Sequence, residues 1–549
     1  MAVKNPNKKT LNKALFLSVA ALWCASELSA QTASLPRLVK TGVSTQLLVD
    51  NKPYLVLGGE LGNSSASSND YMRPVWPKLR QMNLNTVIAP VYWELMEPVE
   101  GQFDFSLLDS LITNARLNDM KLVLLWFGSW KNSMSCYAPA WVKTDVKRFP
   151  RSLNRDGVPQ EILSPFNSDN LVADKKAFVA LMRHIREADD RQHTVITIQV
   201  ENEIGMLGSA RSYDEAANAA FGRPVPRELL VYLQRNKDNL TPQLDSLWKI
   251  NGFKTSGNWE AVFGKGLATD EMFIAWNYAR YVNEIAAAGK AVYDLPMYVN
   301  TALNRAGWRP GVYPSGGPVP HLRDIWKAGA PAIDLLAPDI YFPDLQHWCD
   351  LYTRSSAPLF IPEIHFEKDD GAKAFFAFGR YDCLSFSPFS IESAEHPENE
   401  PIGKAYQVLR EVSPLIVKYR PEGKVSGFLL SKDSSSQTVT VGDYRITVKH
   451  DFTLPWSPGS REGEWPLTGC LIVAVSPDEF YVAGTGSVVR FASADPGKCA
   501  GLLSVDEGDF EDGRWVPGRR MNGDQDNQGR DIRIPMNEYG IQRVKLYQY

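Results

Sequence analysis

The residues best equipped for chemistry lie in the run TVITIQVENEIG, 194–205. Thr194 to Val200 carry no charge and are rich in β-branched side chains, which reads as a strand buried on both faces. The run breaks into Glu201, Asn202 and Glu203 and ends at Gly205. A second apolar run, PLFIPEIHF at 358–366, delivers Glu363 in the same way. Two carboxyls brought to one rim suit cleavage of a glycosidic bond, where one must be a protonated acid and the other an ionised nucleophile. The charge of one holds the proton on the other, because a second ionisation beside it is disfavoured. Glu203 and Glu363 suit the two roles. Asn202 can donate to a substrate hydroxyl, and Tyr341 can donate to the nucleophile and hold it ionised.

Positioning them requires a scaffold that aims several strand ends at one place. Buried strands are expected at 54–60, 86–94, 121–127, 194–200, 297–303, 333–341, 358–364 and 383–389. Helical spacing is found between them, for example at Ser106–Asn118, where Leu107, Leu108, Leu111, Ile112 and Ala115 recur at helical intervals. Eight strands alternating with helices predict an α/β fold, a (β/α)8 TIM barrel over 31–420, closed by a helix at 402–417. The C-terminal strand ends form the ligand-facing rim of such a barrel. They collect Glu60, Tyr92, Trp93, Glu94, Trp126, Asn202, Glu203, Asn300, Asp339, Tyr341 and Glu363, a set of acids, amides and aromatics that could hold a sugar. Tyr92, Trp93 and Trp126 suit a sugar platform or core packing about equally. Glu201, two residues before Glu203 on an extended strand, is expected to point the same way as a deeper, structural neighbour. An insertion at 206–268 either walls off one side of the mouth or packs outside the barrel. After the break Arg420-Pro421-Glu422-Gly423, residues 421–549 read as an all-β, sandwich-like domain. The Asp-, Gly-, Arg- and Asn-rich stretch 506–531 is expected to be a long loop.

A net charge of −4 with no basic stripe gives no ground for a nucleic-acid partner. Residues 1–30 read as a signal peptide: Lys4, Lys8, Lys9 and Lys13 precede an apolar run from Ala14 to Trp23, with small residues before Gln31. That predicts export to a periplasmic or extracellular location without stable membrane insertion. The bulk of Trp23 before Cys24 argues against a lipid anchor. Loss of Cys24 with the leader leaves Cys136, Cys349, Cys383, Cys470 and Cys499, an odd number, of which Cys470 and Cys499 could pair. No CxxC or HExxH cluster is present, and no metal or other cofactor is expected.

With these residues in view, QVENEIG is similar to the QVENEYG signature of family 35 glycoside hydrolases, and PVYWELMEPVEGQFDF at 90–105 resembles that family's second-strand motif. GGELGNSS departs from the pattern at Gly62-Asn63, where a His-Tyr pair is usual. FSPFSIES at 386–393 is similar to family 42-like barrels. The resemblance covers about 35–420. It implies that Glu203 is the acid/base, with Asn202 beside it, and Glu363 the nucleophile. Glu367 and Glu392 compete for the second role, and His365 is read as a neighbour of the site. It further implies a retaining exo-acting β-galactosidase whose partner is a carbohydrate, with terminal galactose of a plant polysaccharide such as xyloglucan as substrate. Another exo-β-glycosidase, an endo-glycanase, or a non-catalytic sugar-binding protein on the same barrel are the alternatives. Retention predicts carboxyls about 5 to 5.5 Å apart, and inversion about 6.5 Å or more.

Overall fold

The computed structural model describes residues 1–2 and 34–549. The expected leader, with its lysines and Cys24, lies outside the described residues. Residues 35–549 form one compact unit. Its centre is a closed barrel of eight parallel strands: β1 Val56–Glu60, β2 Thr86–Tyr92, β3 Lys121–Lys131, β4 Val195–Asn202, β5 Met297–Ala302, β6 Leu335–Ile340, β7 Leu359–Ile364 and β8 Cys383–Pro388. The strands pair in sequence order and β8 returns to β1. Almost every strand residue is buried, as strands covered by helices outside and side chains inside must be. The (β/α)8 expectation therefore holds.

The helices show how sequence sets the strand ends. Helix α1, Ser168–Asp189, precedes β4. Asn167 caps it by accepting the Asn170 N–H at 2.8 Å. Its apolar face, Ala173, Ala177, Phe178, Leu181, Met182 and Ile185, is buried against the barrel. Its last residue, Asp189, accepts the Val195 N–H at 2.7 Å and a bond from Arg116, tying the helix end to the start of β4. Helix α2, Leu267–Lys290, covers the next crossover. The insertion folds into short helices at 215–222, 227–235, 242–250 and 259–263. It packs outside the barrel: Asp324, on the helix after β5, accepts the Thr241 N–H at 2.7 Å, and Leu229, Leu233, Trp248 and Phe263 join the main core.

Strand β3 is the main local departure. It was expected to stop at Phe127 but runs on through GSWK to Lys131, with a register shift after Trp126, so that Lys131 lies level with Asn202. β2, by contrast, ends at Tyr92, and Trp93–Met96 turn into a short helix.

Beyond helices α3, Asp370–Arg380, and α4, Pro401–Tyr419, the chain forms two antiparallel sheets of six and four strands. Phe428, Tyr444, Ile446, Phe480, Val482, Phe491 and Val544 fill the space between them. The stretch expected as a loop at 506–531 is mostly a hairpin, Ala500–Glu511 with Arg514–Met521. Its turn sits at Asp512-Gly513, both at positive φ, a two-residue hairpin signal overlooked among the charges. The hairpin touches the barrel where the Phe510 N–H donates to Glu411 of α4 at 3.1 Å. α3 meets the six-stranded sheet backbone to backbone: a Cβ on Gly379 would lie 2.6 Å from the Gly427 Cα. All five described cysteines are free, so Cys470, buried, and Cys499, exposed, are unpaired. Among the described residues no helix is long and apolar enough to cross a membrane.

Candidate active site

The end of β4 departs from regular strand geometry, and that departure decides which carboxyl reaches the mouth. Glu201 and Glu203 both sit at positive φ, +61° and +44°, a region that disfavours residues with a Cβ. The alternation assumed for an extended strand therefore fails. Glu201 turns toward the helix layer, where its carboxylate accepts the Trp130 N–H at 2.7 Å and lies against Asp174 of α1. Burial first, and Asp174 second, push Glu201 well above the ordinary carboxylate range. Its role as a structural neighbour is consistent with this, but its direction is the opposite of the expected one.

Glu203 instead joins a second, separate set of acids. One oxygen each of Glu203, Asp339 and Glu363 lie within 4.8 Å of one another, and all three residues are buried. Register explains the grouping, since Asp339 and Glu363 are paired neighbours on β6 and β7. Asn300, on β5, bridges the set: its Oδ1 accepts the Glu203 N–H at 2.9 Å and its Nδ2 donates to Asp339 at 2.7 Å. Asn300 thus holds the strained Glu203 backbone. Asn132, just past β3, donates its side-chain N–H to the Glu203 carboxylate. The Tyr341 hydroxyl donates to Glu363 Oε1. Glu60, at the end of β1, faces Glu363 within interaction range, and Lys131 is the cation beside both.

Four buried carboxyls with one ammonium cannot all be ionised. Burial, then Glu363, push Glu60 well above the usual range, and burial, then Glu363 and Glu203, do the same to Asp339. Glu363 is pushed up to about 7 by burial and by the Glu203 carboxylate, while Lys131, Tyr341 and Glu60 pull it back. The Tyr341 hydroxyl, donating to Glu363, favours the ionised form of Glu363. Three carboxyls this close could also close on a divalent cation; here Lys131 is the cation beside Glu60 and Glu363.

Asn202 is fully buried, yet neither polar atom of its side chain has a partner. Such a group beside the acid pair is poised for a ligand. The other expected residues lie elsewhere. Trp126 is buried on the helix side, donating to Asp174 at 2.9 Å, and Trp93 donates to Glu97 at 2.8 Å between Trp126 and Trp141, so neither offers a face to the mouth. Tyr92 packs between Phe127 and Tyr137. Glu94, half-exposed on the turn after β2, pairs with Lys143 at 3.3 Å. Glu367 pairs with Lys373 on the outside, and Glu392 accepts the Gly62 N–H at 2.8 Å and the Ser65 hydroxyl, so neither competitor joins the acid cluster. The side chain of His365 is largely exposed beside Tyr341.

Sequence reasoning assigned no role to Lys131 or Asn132, and placed Asp339 only within the rim set that could hold a sugar. Asp339 was visible as a strand-end acid. Lys131 and Asn132 were hidden because β3 was ended too early.

Comparison with known proteins bears on part of this arrangement. A family model described as β-galactosidase, glycoside hydrolase family 42, matches residues 67–259, and a domain of unknown function matches 402–533. The first stretch includes the 90–105 motif and Glu203 and stops before Glu363. A β-galactosidase of Xanthomonas manihotis is 42% identical over 62 residues, 11% of this chain and 10% of that one. The β-galactosidase-1-like protein 3 of Homo sapiens is 28% identical over 188 residues, 33% of this chain and 27% of that one. The chain thus spans less than a third of the length of these curated relatives. A cold-adapted β-galactosidase from Rahnella sp. R3 superposes with a TM-score of 0.44 at 14% identity, over 68% of this chain and 58% of that one. Over residues 67–259, which carry Asn202 and Glu203, the chain is similar to the β-galactosidases of that family model.

Proposed function

We propose that this protein is a retaining, exo-acting glycoside hydrolase of family 35-like character that releases terminal β-linked galactose. The observation that carries the reading is the Glu203–Glu363 pair: oxygens within 4.8 Å, just past β4 and on β7, with Asn132 donating to Glu203 and Tyr341 to Glu363. That proximity favours the closer spacing used in double displacement over the wider spacing that admits a water for inversion. In the first step Glu363 attacks the anomeric carbon. The glycosidic C–O bond breaks, and its electron pair goes to the leaving oxygen, which takes the proton of Glu203. In the second step water attacks the same carbon, Glu203 accepts its proton, and the bond to Glu363 breaks to restore the carboxylate. Asn202 supplies the contact to the hydroxyl beside the anomeric carbon. The names of the relatives and the matching family support galactose as the sugar. Terminal galactose on a plant polysaccharide such as xyloglucan, met after export, is the natural substrate we put forward.

The test is hydrolysis of a panel of aryl β-glycosides by the wild type and by Glu363→Ala, with and without azide. Release from the galactoside, a loss of at least about a thousandfold in the variant, and azide rescue yielding an α-galactosyl azide are expected. A fully active variant would overturn the nucleophile assignment. A wild type that binds sugar but hydrolyses no glycoside would favour a non-catalytic binding protein.

A further inference from the structure

The extension of β3 is a bulge held in place by a side chain of β4. Trp126 lies level with Val200 and Lys131 with Asn202, so the four residues 127–130 face a single β4 residue, Glu201. Residues in a bulge lose their ladder partners, and bulges re-aim side chains beside active sites. Here the Glu201 carboxyl replaces a strand carbonyl by accepting the Trp130 N–H at 2.7 Å. Trp130 is itself fixed: its indole N–H donates to the Leu163 carbonyl at 3.3 Å, and its ring meets Tyr278 and Tyr281 of α2 edge-on. Past the bulge the chain returns to β4, with the Asn132 N–H donating to the Asn202 carbonyl at 3.2 Å and the Ser133 N–H to the Glu203 carbonyl at 3.1 Å. Lys131 and Asn132, which meet the acid cluster, are therefore held between the Glu201 side chain and the 202–203 backbone.

Glu201 is positioned in turn by Asp174 of α1. A Cβ on Gly128 would lie 2.8 Å from Glu201 Oε1 and 2.9 Å from Asp174 Oδ1, so both carboxyls converge on the bulge and only glycine leaves them room. Among the described residues no ion pair reaches either one. Asp174 accepts from the Trp126 indole N–H at 2.9 Å, from the Ser129 hydroxyl and from the Tyr281 hydroxyl at 3.3 Å, a donor set that suits a carboxylate. Glu201 Oε1 is buried without a donor, within interaction range of Asp174. A protonated Glu201 satisfies both groups: its Oε2 accepts from Trp130 and its Oε1–H donates to Asp174. Ionised together, the two would repel with no counter-charge.

We propose that Glu201 and Asp174 are a positioning pair for the reaction: Glu201, acting as a neutral hydrogen-bonding acid, clamps the β3 bulge so that Lys131 stays beside Glu363 and Asn132 stays on Glu203. This rests on the hydrolase reading above and adds to it two residues that act through others rather than on the substrate. Glu363 faces Glu203, Glu60, Asp339, Tyr341, Tyr298 and Lys131, and Lys131 is the cation among them. Releasing the bulge withdraws that cation, so the Glu363 carboxyl rises above its value of about 7 and a higher pH is needed to ionise the nucleophile.

The test compares Glu201→Gln, Glu201→Ala and Asp174→Ala in the full chain. Two readouts are taken: the pH profile of kcat/KM on an aryl β-galactoside, and amide hydrogen exchange of segments 127–135 and 200–206. Glutamine keeps both bonds, its amide oxygen accepting from Trp130 and its amide N–H donating to Asp174. Glu201→Gln should therefore retain most of the activity, with the wild-type profile and wild-type exchange. Glu201→Ala and Asp174→Ala should lose about ten- to a hundredfold, mainly in kcat, with the acid limb moved to higher pH and faster exchange in both segments. In a Lys131→Met background Glu201→Ala should move the limb no further. If Glu201→Ala does not fold, Glu201→Asp, one methylene shorter, gives the same comparison. A lower Tm with the limb in place would mean a purely architectural role and overturn the proposal. Glu201→Gln as damaging as Glu201→Ala would overturn the neutral-acid role. If the wild type hydrolyses no glycoside, the hydrolase reading fails, and the exchange data alone decide whether Glu201 holds the bulge.

Discussion

The barrel mouth and the C-terminal sandwich treat buried acids in opposite ways. In the sandwich, buried acids meet arginines: Asp451 accepts from Arg533 at 2.6 Å, and Asp531 accepts both arms of Arg490 at 2.6 and 2.8 Å. In the mouth, Glu60, Glu203, Asp339 and Glu363 crowd together, with Lys131 beside Glu60 and Glu363. The sandwich pairs are satisfied and so contribute to stability. The mouth set cannot be satisfied by ionisation, so it stores protons, and unmatched buried charge of this kind marks chemistry rather than architecture. The same contrast recurs within β4, where Glu201 finds a backbone N–H and Asp174, while Glu203 is held out to the mouth.

Variants can break this comparison at several points. The largest effect is expected for Glu203→Gln, with a loss of about 10²- to 10⁴-fold on substrates whose leaving group needs protonation. A much smaller loss should follow on aryl glycosides with acidic phenols, and equal losses on both would remove Glu203 from the acid role. Asn300→Ala should follow, at about ten- to a hundredfold in kcat with little change in KM. It releases the Glu203 backbone from its left-handed conformation without touching the carboxyl itself; a purely structural loss would appear in Tm and KM as well.

Smaller effects concern stability and should separate the two regions. In the mouth the folded-state values of Glu363, Asp339 and Glu60 lie above ordinary ones, so the native state keeps protons that the unfolded chain releases. Stability from this cluster is therefore present below about pH 4 and falls as pH rises toward about 7, the value reached by Glu363. Asp339→Asn should flatten that slope, raising Tm at pH 8 more than at pH 5 while lowering activity. A Tm change that is the same at both values would contradict the proton-storing account. In the sandwich, Asp451→Ala should lower stability by about 1 to 3 kcal/mol and leave kcat/KM unchanged when measured well below Tm.

The sequence alone made the barrel legible because its strands are uniform apolar runs and its helices have regular apolar spacing, both consequences of local periodicity. The C-terminal sheets were legible only in outline: Ala500–Glu511 and Arg514–Met521 carry charges on exposed faces that mask their pairing, and the strands at 425–430 and 540–548 gained their partners from distant segments. The run QVENEIG and the Glu at the end of β7 pointed to a pair of carboxyls, since strand ends in a barrel share one rim. What tertiary structure alone decided was direction and neighbourhood. Positive φ at Glu201 and Glu203 sent two acids, only two residues apart, to different places. The four extra residues of β3 brought Lys131 and Asn132 to the site. The helix layer claimed Trp126 through Asp174, a partner 48 positions away that no local pattern could supply.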